Sequence, residues 1–597
     1  MTRHSIAALA LILAAWGCQS TPAPTDEAPA PDVQQVAEAS PDALLAAARS
    51  ARGARASRLF LEAAERLLDA DPAAAAEALA ATDPTDLDED DTARFLLTRA
   101  RLAILEGLSG ATERFAEARA DLAAVADDRL DDPLAVALVR AELMAATGAE
   151  RAAAEYLMDY RPAAPDAGIR QRQSDAIWER LAEVPPLVVV DAERGASGVR
   201  RGWWQLKAMM FQSFTLAEQQ RRLAAWRDSR PDHPATRHPP AALASLAGAP
   251  PVTRVGLLLP LSGNLSRAGR AVRDAFVATY LSHREEVGFD VIVYDTAAEP
   301  LPALYERALV DGADLLIGPL AKEAVSQMNT LNPEVPVLAL NYLGDEELPA
   351  ANLVQLGLAI EDEAATLSAW LTDERTERLL LLHNDEDWAR RARATVASSW
   401  TGALTVQPLE DIRTVTESVG VAMHVAASET RREELEAVLG TSLEFLPRAR
   451  GDVDAIVALV TQLEASALVP ALKFHFADQI PVYATSQTVR GASPERLRDL
   501  AGFRVSELPW FALETPSYRA LDDAFALAGS PFAALYALGV DAFRLAERLP
   551  LVLDGSMTEL LGSTGELSFT PSGRVQRRLA RAEVRAGRVQ VPGTVGR

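Results

Sequence analysis

The spacing of apolar residues divides the chain into two parts with different secondary structure. From about residue 41 to 228, apolar positions recur with the helical period, and Phe95, Leu102 and Leu105 fall on one face of a helix. Proline follows aspartate at several joints, where it disfavours helix at the preceding residue. Antiparallel helix pairs stacked in series would bury the apolar faces. The segments predicted as helices or helix pairs are 58–82, 92–125, 133–162, 173–183 and 201–228.

One stretch of this helical part resembles a known repeat. Residues 201–234 have the length of about 34 residues, the aromatic and alanine positions and the terminal proline that are typical of a tetratricopeptide unit. The other segments match that pattern poorly, so we predict a degenerate TPR-like helical domain over 41–228. Repeat stacks usually present a surface to peptides or proteins. A plain helical spacer would have the same pattern, and both interpretations stay open here.

From residue 252 onward the period changes. The proline-rich segment 229–251 is typical of a linker between domains. After it, short apolar runs alternate with amphipathic helical segments, which predicts parallel sheets covered by helices on both faces. The region 252–597 exceeds the size at which one core keeps growing, so we predict two α/β lobes with a cleft between them. The predicted strands are Val255–Leu261, Phe289–Thr296, Ala313–Leu320, Pro336–Tyr342, Leu379–Asn384, Ala455–Val460 and Ile480–Ser486.

The first predicted helix of this region, Arg267–Val287, shows the amphipathic pattern clearly. Its apolar stripe faces the core, while its arginines lie off the stripe. The stripe consists of Ala268, Ala271, Val272, Ala275, Phe276, Thr279 and Tyr280.

Composition and charge exclude several classes of protein. The 597 residues include 59 Lys and Arg against 84 Asp and Glu, a net charge of −25, which would repel a phosphate backbone and makes nucleic-acid binding unexpected. A hydrophobic content of 49% supports large cores and excludes a mostly disordered chain. No apolar run reaches the roughly 18 residues that span a bilayer. The single cysteine, Cys18, excludes an intrachain disulfide and a zinc-ribbon cluster.

The N-terminus predicts export. Residues 6–17 form an apolar run of 12 residues after Arg3, which suits the central region of a secretory signal. Cys18 follows Gly17 directly, as in a bacterial lipobox, although Ala15 and Trp16 depart from the usual lipobox residues. We therefore predict that residues 1–17 are a lipoprotein signal peptide and that Cys18 is acylated. A plain secretory signal with an incidental cysteine is the alternative.

The segment after Cys18 predicts the destination and a tether. Gln19 follows the cysteine, whereas aspartate there is typical of retention in the inner membrane, so the periplasmic side of the outer membrane is the predicted location. Several acyl chains on one residue would give a stable anchor. Residues 18–40 are rich in proline, alanine and acids without apolar periodicity, which predicts an extended tether.

A search for catalytic motifs finds none. The sequence has no P-loop, no G-x-S-x-G or S-x-x-K motif and no H-E-x-x-H, so catalytic residues and cofactors are not predicted. The closest metal-like group is the loop His383–Asp387, which could bind a hard cation. Acids that complement the dipole at the start of the next helix explain the same residues, and we predict no metal.

The loop from Pro260 to Ser266 carries the candidate ligand-binding residues. Ser262, Gly263 and Asn264 join the first strand to the first helix, where free N–H groups could hold an anionic ligand in the cleft. A simple helix cap by Asn264 or Ser266 is the alternative. A second pair, Gly318 and Pro319, ends another strand, and strand ends line the crevice in open α/β sheets.

Several longer segments resemble one family. Residues 255–276 resemble the start of type I periplasmic binding domains. Together with five further segments they resemble the LpoA (LppC) family of penicillin-binding protein activators over 252–597, and residues 202–235 resemble its helical domain. The five segments begin at Tyr294 (YDTAAEPLPALYERALVDGADLLIGPLAKEAV), Gln355 (QLGLAIEDEA), Asp452 (DVDAIVALVTQLEASALVPALKFHFADQIPVYATS), Glu507 (ELPWFAL) and Gly562 (GSTGELSFTPSGRVQRRL).

The resemblance implies an outer-membrane lipoprotein without catalytic activity of its own. It would bind a class A penicillin-binding protein of the 1A type and activate its peptidoglycan synthesis, and in the family the C-terminal domain contacts the synthase. No contact residue transfers by motif. A periplasmic solute receptor for an amino acid or cell-wall fragment is the alternative, and an enzyme with an unrecognised site is a third hypothesis.

Overall fold

The computed structural model describes residues 39–592, except for 127–128, 185, 248–250, 345, 445–449, 528–529 and 571. The chain forms two compact units, which divide between Val139 and Arg140. This division differs from the predicted linker at 229–251, because the helices after Arg140 belong to the same compact unit as the α/β domain. The predicted signal peptide, Cys18 and the tether up to residue 38 lie outside the described residues.

The described residues from 41 to 247 fold into helices joined by short loops, and none of them belongs to a strand, which confirms the predicted helical class. In chain order the helices are α1 (Pro41–Ser50), α2 (Ala54–Leu67), α3 (Pro72–Ala80), α4 (Glu89–Leu108), α5 (Arg114–Ala124), α6 (Ala135–Ala146), α7 (Glu150–Asp159), α8 (Ala167–Glu183), α9 (Pro186–Gly195), α10 (Gly198–Gln212), α11 (Leu216–Ser229), α12 (Pro234–Arg237) and α13 (Ala241–Ala247). The last two lie inside the predicted linker, which is therefore partly helical.

Aspartate–proline pairs start helices in the first unit. Asp71 caps α3, since its Oδ1 accepts a backbone N–H of the first turn at 3.0 Å, and Pro72 takes the first helical position. The face predicted from Phe95 and Leu102 is buried, and both side chains pack with residues of α2 and α3 in one core. Leu105 packs at the edge of the same core.

The hairpin of α10 and α11 closes around a buried histidine. The ring of His233 lies 5.3 Å from that of Trp203 and 4.9 Å from that of Trp226, centroid to centroid. Gly202 leaves room for this arrangement, because a Cβ at that position would overlap the imidazole of His233. Aromatic packing around His233 therefore accounts for Trp203, Trp226 and the histidine of the predicted repeat unit.

The α/β domain begins after the hairpin. In chain order its elements are β1 (Arg254–Leu259), α14 (Ser266–Ser282), β2 (Asp290–Asp295), α15 (Leu301–Val310), β3 (Leu315–Ile317), α16 (Lys322–Leu331), β4 (Val337–Ala339), β5 (Leu353–Gln355), α17 (Ile360–Asp373), β6 (Arg378–His383), α18 (Asp387–Ser399), β7 (Ala403–Pro408), α19 (Val415–Ala422), α20 (Val425–Leu439), β8 (Ala455–Leu459), α21 (Gln462–Phe474), β9 (Val482–Thr485), α22 (Pro494–Asp499), β10 (Arg504–Glu507), α23 (Pro509–Ala512), α24 (Pro516–Phe525), α25 (Ala533–Ala546), α26 (Leu549–Leu553), β11 (Glu559–Leu561), β12 (Glu566–Phe569), β13 (Val575–Arg578), β14 (Ala580–Arg585) and β15 (Arg588–Gln590).

Two sheets with separate cores form two lobes, which confirms the predicted architecture. The first lobe contains a parallel sheet of order β2-β1-β3-β4-β5. The second lobe contains the order β15-β14-β10-β9-β8-β6-β7, parallel from β10 to β7 and antiparallel at β14 and β15. A small antiparallel sheet, β11-β12-β13, packs on the core of the first lobe.

Each of the seven predicted strand runs contains a strand, whereas the short or half-exposed strands were not predicted. β7 lies at the edge of its sheet and has no buried residue. β13 alternates buried and exposed positions over only four residues. A continuous apolar run, the signal of a strand covered on both faces, is absent from both. The first predicted helix of the domain forms as α14 with most of its stripe buried, but it ends at Ser282 instead of Val287.

Two buried arginines join the helical hairpin to the first lobe. Arg544 in α25 donates to the carbonyl of Phe211 at 3.1 Å, and Arg548 donates to that of Phe214 at 3.1 Å. The ring of Phe214 stacks on His283 with centroids 4.6 Å apart. Burial lowers the pKa of Arg548 to about 9. These contacts explain why the hairpin and the α/β domain form one compact unit.

Among all the helices that the structure describes, none combines the length and the apolar character needed to cross a bilayer.

Candidate functional site

The loop after β1 lies exposed at the carboxyl edge of the first sheet. Ser262, Gly263 and Asn264 are all exposed. Below them, Asp295 at the end of the neighbouring β2 accepts the N–H of Leu261 at 2.8 Å. Burial opposes ionisation of Asp295, but backbone N–H donors and the Ser262 side chain outweigh it and lower its pKa. The loop is therefore held in place by a charged acceptor.

The start of α14 differs from the predicted cap. The residue at the cap position is Leu265, and no side chain makes a capping hydrogen bond there. The alternative in which Asn264 or Ser266 caps the helix is therefore wrong. The N–H of Ser266 donates to the carbonyl of Gly263 at 3.2 Å, which tightens the loop into the first turn. First-turn N–H groups without a side-chain cap carry the positive end of the helix dipole.

Gly318 and Pro319 follow β3, the neighbour of β1, and both are buried. The N–H of Gly318 donates to Leu338 at 2.8 Å, and proline has no N–H, so this pair offers no free backbone donor. The peptide bond between them is cis, and the φ of Gly318 is +102°. A Cβ at Gly318 would overlap the carbonyl oxygen of Leu258, so this position packs β3 against β1. Of the two predicted groups, the Ser262–Asn264 loop is the exposed one that could contact a ligand, and that role stays a prediction.

Several polar side chains at the carboxyl edge of the second sheet are engaged within the protein, whereas the buried hydroxyls of Thr485 in β9 and Ser506 in β10 have no hydrogen-bond partner. Asn384, after β6, donates to Glu464 at 2.8 Å. Thr461, after β8, forms a capping box with Glu464. In the loop that could have bound a cation, Asp387 lies in the first turn of α18. No group of three or more His, Cys, Asp or Glu that could hold a metal ion occurs in the described part of the chain.

The chain passes between the lobes three times, after β5, after β10 and after β13, and buried charges lie at all three crossings. Asp362 and Glu363 lie in the first turn of α17, Glu507 ends β10, and Arg577 lies in β13. The side chains of Glu363, Glu507 and Arg577 are almost fully buried, and Asp362 is largely so. We call these four residues the hinge cluster.

Glu363 connects the first crossing to the second lobe. Its Oε2 accepts the N–H of Ser486 at 2.7 Å, and its Oε1 accepts the Ser486 hydroxyl at 2.9 Å. Ser486 follows β9 and also accepts a hydrogen bond from Arg490 at 2.8 Å. Burial raises the pKa of Glu363, while Arg490 and the Ser486 donors counteract the rise.

Glu507 lies at the second crossing with fewer partners. The N–H of Leu508 donates to its Oε1 at 2.7 Å. Burial, and then the nearby carboxylate of Glu363, raise the pKa of Glu507 to about 7. Two buried carboxylates at neighbouring crossings cannot both ionise without cost, so Glu507 holds its proton up to near-neutral pH.

Arg577 joins the third crossing to the first. Its Nε donates to Asp362 at 3.0 Å, and its side chain is 1% exposed. Two further donations, each at 3.1 Å, go to the carbonyls of Thr564 and Ala359. Burial raises the pKa of Asp362, and Arg577 lowers it in part. The guanidinium therefore ties segments that are separated by more than two hundred residues in the sequence.

The hinge cluster joins the segments that cross between the lobes, and Glu507 can exchange a proton near neutral pH. Motif searching missed these residues, although each lies in a segment that carried the family resemblance: QLGLAIEDEA, ELPWFAL and GSTGELSFTPSGRVQRRL. A signal was present, because Glu507 directly precedes the apolar run 508–513 (LPWFAL), where a charge is unexpected. The sequence does not show that the three segments meet.

Comparison with known proteins finds one family whose similarity to this chain extends over most of its length. The model of the family described as "LppC putative lipoprotein" matches residues 34–587. A penicillin-binding protein activator LpoA from Vibrio antiquarius is 26% identical over 429 residues, which cover 69% of this chain and 71% of the relative. An activator of the same name from Klebsiella pneumoniae is 23% identical over 549 residues, 72% of this chain and 77% of the relative.

A solved structure is similar in fold. The monoclinic crystal form of Haemophilus influenzae LpoA superimposes with a TM-score of 0.56 at 19% identity, covering 94% of this chain and 99% of that one. At this identity the similarity concerns the fold, a helical part followed by a two-lobed α/β domain.

Proposed function

Because this chain belongs to the LppC lipoprotein family, we propose that it binds and activates a class A penicillin-binding protein of the 1A type and so regulates peptidoglycan synthesis. The match over residues 34–587 carries the proposal, since it spans the helical part and both lobes. Relatives aligned over about two thirds of the chain are named as activators of a penicillin-binding protein. The glycan and peptide chemistry would belong to the partner.

Several polar groups at the cleft edge are hydrogen-bonded within the protein, which suits a domain that binds another protein. Gly318, Asn384, Thr461 and Ser486 all hydrogen-bond within the protein. Of the polar groups at these strand ends, the buried hydroxyls of Thr485 and Ser506 remain without a partner, and a solute receptor would need such groups for orientation and specificity. A surface that engages another protein does not require free groups in the cleft.

The activator proposal predicts a faster synthase. Residues 19–597, produced without the signal peptide and the cysteine, are expected to raise the rate at which the cognate 1A-type synthase forms cross-linked glycan. The measurement is the yield of cross-linked product against time with and without the protein. Synthase acylated beforehand with penicillin serves as the control, because cross-links must then be absent whether or not the protein is added. An unchanged rate with active synthase would reject the proposal.

A solute receptor is the second candidate, and the uncapped start of α14 beside the exposed Ser262–Asn264 loop favours it. Free N–H groups there could hold a carboxylate. Calorimetry with a panel of amino acids and cell-wall fragments distinguishes the two functions. Micromolar binding that is lost in the Asn264→Pro variant would favour the receptor function. If no compound gives a heat of binding, the receptor function is rejected and the activator function is retained.

We also propose that the chain is anchored to the outer membrane through acylated Cys18. The family description as a lipoprotein and the position of the only cysteine support this location. Replacing Cys18 by serine is expected to move the protein from the membrane fraction to the soluble periplasmic fraction, because the acyl chains supply the membrane affinity. Substitution of Ser20 by alanine is the matched control and should leave the distribution as it is. A Cys18→Ser protein that stays in the membrane fraction would contradict the anchor.

A further inference from the structure

A polar cavity lies in the helical part of the second compact unit. Its volume is about 430 Å³, and it opens between α7, the segment after α7, and the turn from α9 to α10. Cavities of this size accommodate small molecules or the end of a peptide, not a whole domain. The residues that line it are Arg151, Glu155, Asp159, Arg161, Gly195, Ala196, Ser197, Val199 and Arg200.

Two of the three arginines on the wall already have acidic partners. Arg151 lies 3.0 Å from Glu155 and 3.5 Å from Asp191. Arg200 lies 3.1 Å from Glu155 and also pairs with Asp159. The acids of the wall therefore neutralise these two cations and hold them in place.

Arg161 differs from the other two arginines. Its Nη1 donates to the carbonyls of Met158 at 2.9 Å and Tyr160 at 3.0 Å. No carboxylate among the described residues lies within ion-pair distance of it, although its charge, after that of Arg200, helps to lower the pKa of Asp159. The two carbonyls fix one nitrogen of the guanidinium and leave the others available. A planar guanidinium with free N–H groups matches the geometry of a carboxylate.

The start of α10 adds donors to the same wall. Ser197 occupies the cap position, and its side chain makes no capping hydrogen bond. The hydroxyl of Ser197 and the first-turn N–H groups of this helix of 15 residues are therefore available beside the cavity. A helix start alone would not define a site, but here it adds to a cavity that contains an arginine with no carboxylate at ion-pair distance and with free N–H groups.

From these contacts we infer that the cavity is a binding site for a peptide carboxylate, with Arg161 as its principal anchor. Glu155, Asp159 and Asp191 pair with Arg151 and Arg200, so among the three arginines of the wall Arg161 has N–H groups free to bind an added anion. A carboxylate can accept from the Arg161 guanidinium, the Ser197 hydroxyl and the first-turn N–H groups together. Stacked helix pairs commonly present such surfaces to peptides, which favours a peptide as the source of the carboxylate. The site lies outside the interlobe cleft and requires no activity of the chain.

Calorimetry with two capped peptides tests the site on residues 19–597. The probes are N-acetyl-trialanine with a free carboxylate and the same peptide as its amide. The free acid is expected to bind at least about tenfold more tightly, because a hydrogen bond to a charged group is worth about that factor. Equal affinity for the two probes, or no heat with either, would overturn the inference.

Substitution of Arg161 separates this site from non-specific attraction. Arg161→Gln should weaken binding of the free acid about tenfold, since it removes the charged hydrogen-bond donor of the site. Arg413→Gln is the matched control, because Arg413 is an exposed arginine on the second lobe that pairs only with its neighbour Asp411. Arg161 is exposed, so its variant should fold, and an unchanged thermal midpoint would verify this. If both variants bind like the parent protein, Arg161 is not the anchor and the site is rejected.

Discussion

Replacing Arg577 by methionine is expected to lower the free energy of unfolding of the second compact unit by about 3–5 kcal/mol. Methionine keeps much of the side-chain volume but removes the charge that compensates the largely buried Asp362 at 3.0 Å. It also leaves the carbonyls of Thr564 and Ala359 without their donors. An unpaired carboxylate in this environment has to pick up a proton or admit water, and either change weakens the connection between the crossings.

Tryptophan fluorescence in a urea titration measures this loss. The tryptophans of residues 19–597 all follow Arg140, so the signal reports on the second unit alone. Arg413→Met is the control, because Arg413 is exposed and pairs at 2.9 Å with the exposed Asp411; its loss should stay within about 1 kcal/mol. Replacing Asp362 by leucine in the Arg577→Met background should recover part of the stability, since no charge then remains unpaired. Equal losses for Arg577→Met and Arg413→Met would contradict the role of the hinge cluster.

Replacing Glu507 by glutamine is expected to stabilise the protein at pH 8 and to have little effect near pH 4.5. Burial and the neighbouring Glu363 raise the pKa of Glu507 from 4.5 to about 7 in the folded protein. Between pH 4.5 and about 7, Glu507 therefore carries a proton in the folded state, whereas the same side chain has already lost its proton in the unfolded state. The contribution of this proton to the free energy of unfolding is fully present below pH 4.5 and is lost as the pH rises through about 7.

Glutamine does not ionise and can still accept the N–H of Leu508, which donates to Glu507 at 2.7 Å. The variant should therefore gain up to about 3 kcal/mol at pH 8, because each pKa unit corresponds to about 1.4 kcal/mol. Urea titrations at pH 4.5, 6 and 8 measure the gain. Glu514→Gln is the control, since Glu514 is a half-exposed glutamate seven residues later in the chain. A gain of the same size at every pH would show that the proton on Glu507 is not responsible.

No sequence motif indicated Arg577 or Glu507, whereas sequence patterns predicted many elements of the fold. The strands β1, β6 and β8 were predicted because buried strands of a parallel sheet are continuous apolar runs. The edge strand β7 and the four-residue β13 lack such a run, and they became visible only when their neighbours in the sheet were known. The candidate loop Ser262–Asn264 was placed correctly at a sheet edge, but the sequence did not show that Leu265 occupies the cap position.

Local pattern and composition alone were sufficient for the helical first part, the two-lobed α/β class, the absence of known catalytic motifs and the family resemblance. Each of these depends on residues that are near one another in the chain, such as a helical stripe, an apolar run or a motif. The hinge cluster depends on long-range packing, since Asp362 meets Arg577 and Glu363 meets Ser486 across more than a hundred residues. The same holds for Arg548, which donates to the carbonyls of Ser213 and Phe214 in the helical hairpin. Burial and pairing of charges arise only when the crossings come together, so the tertiary structure alone determined them.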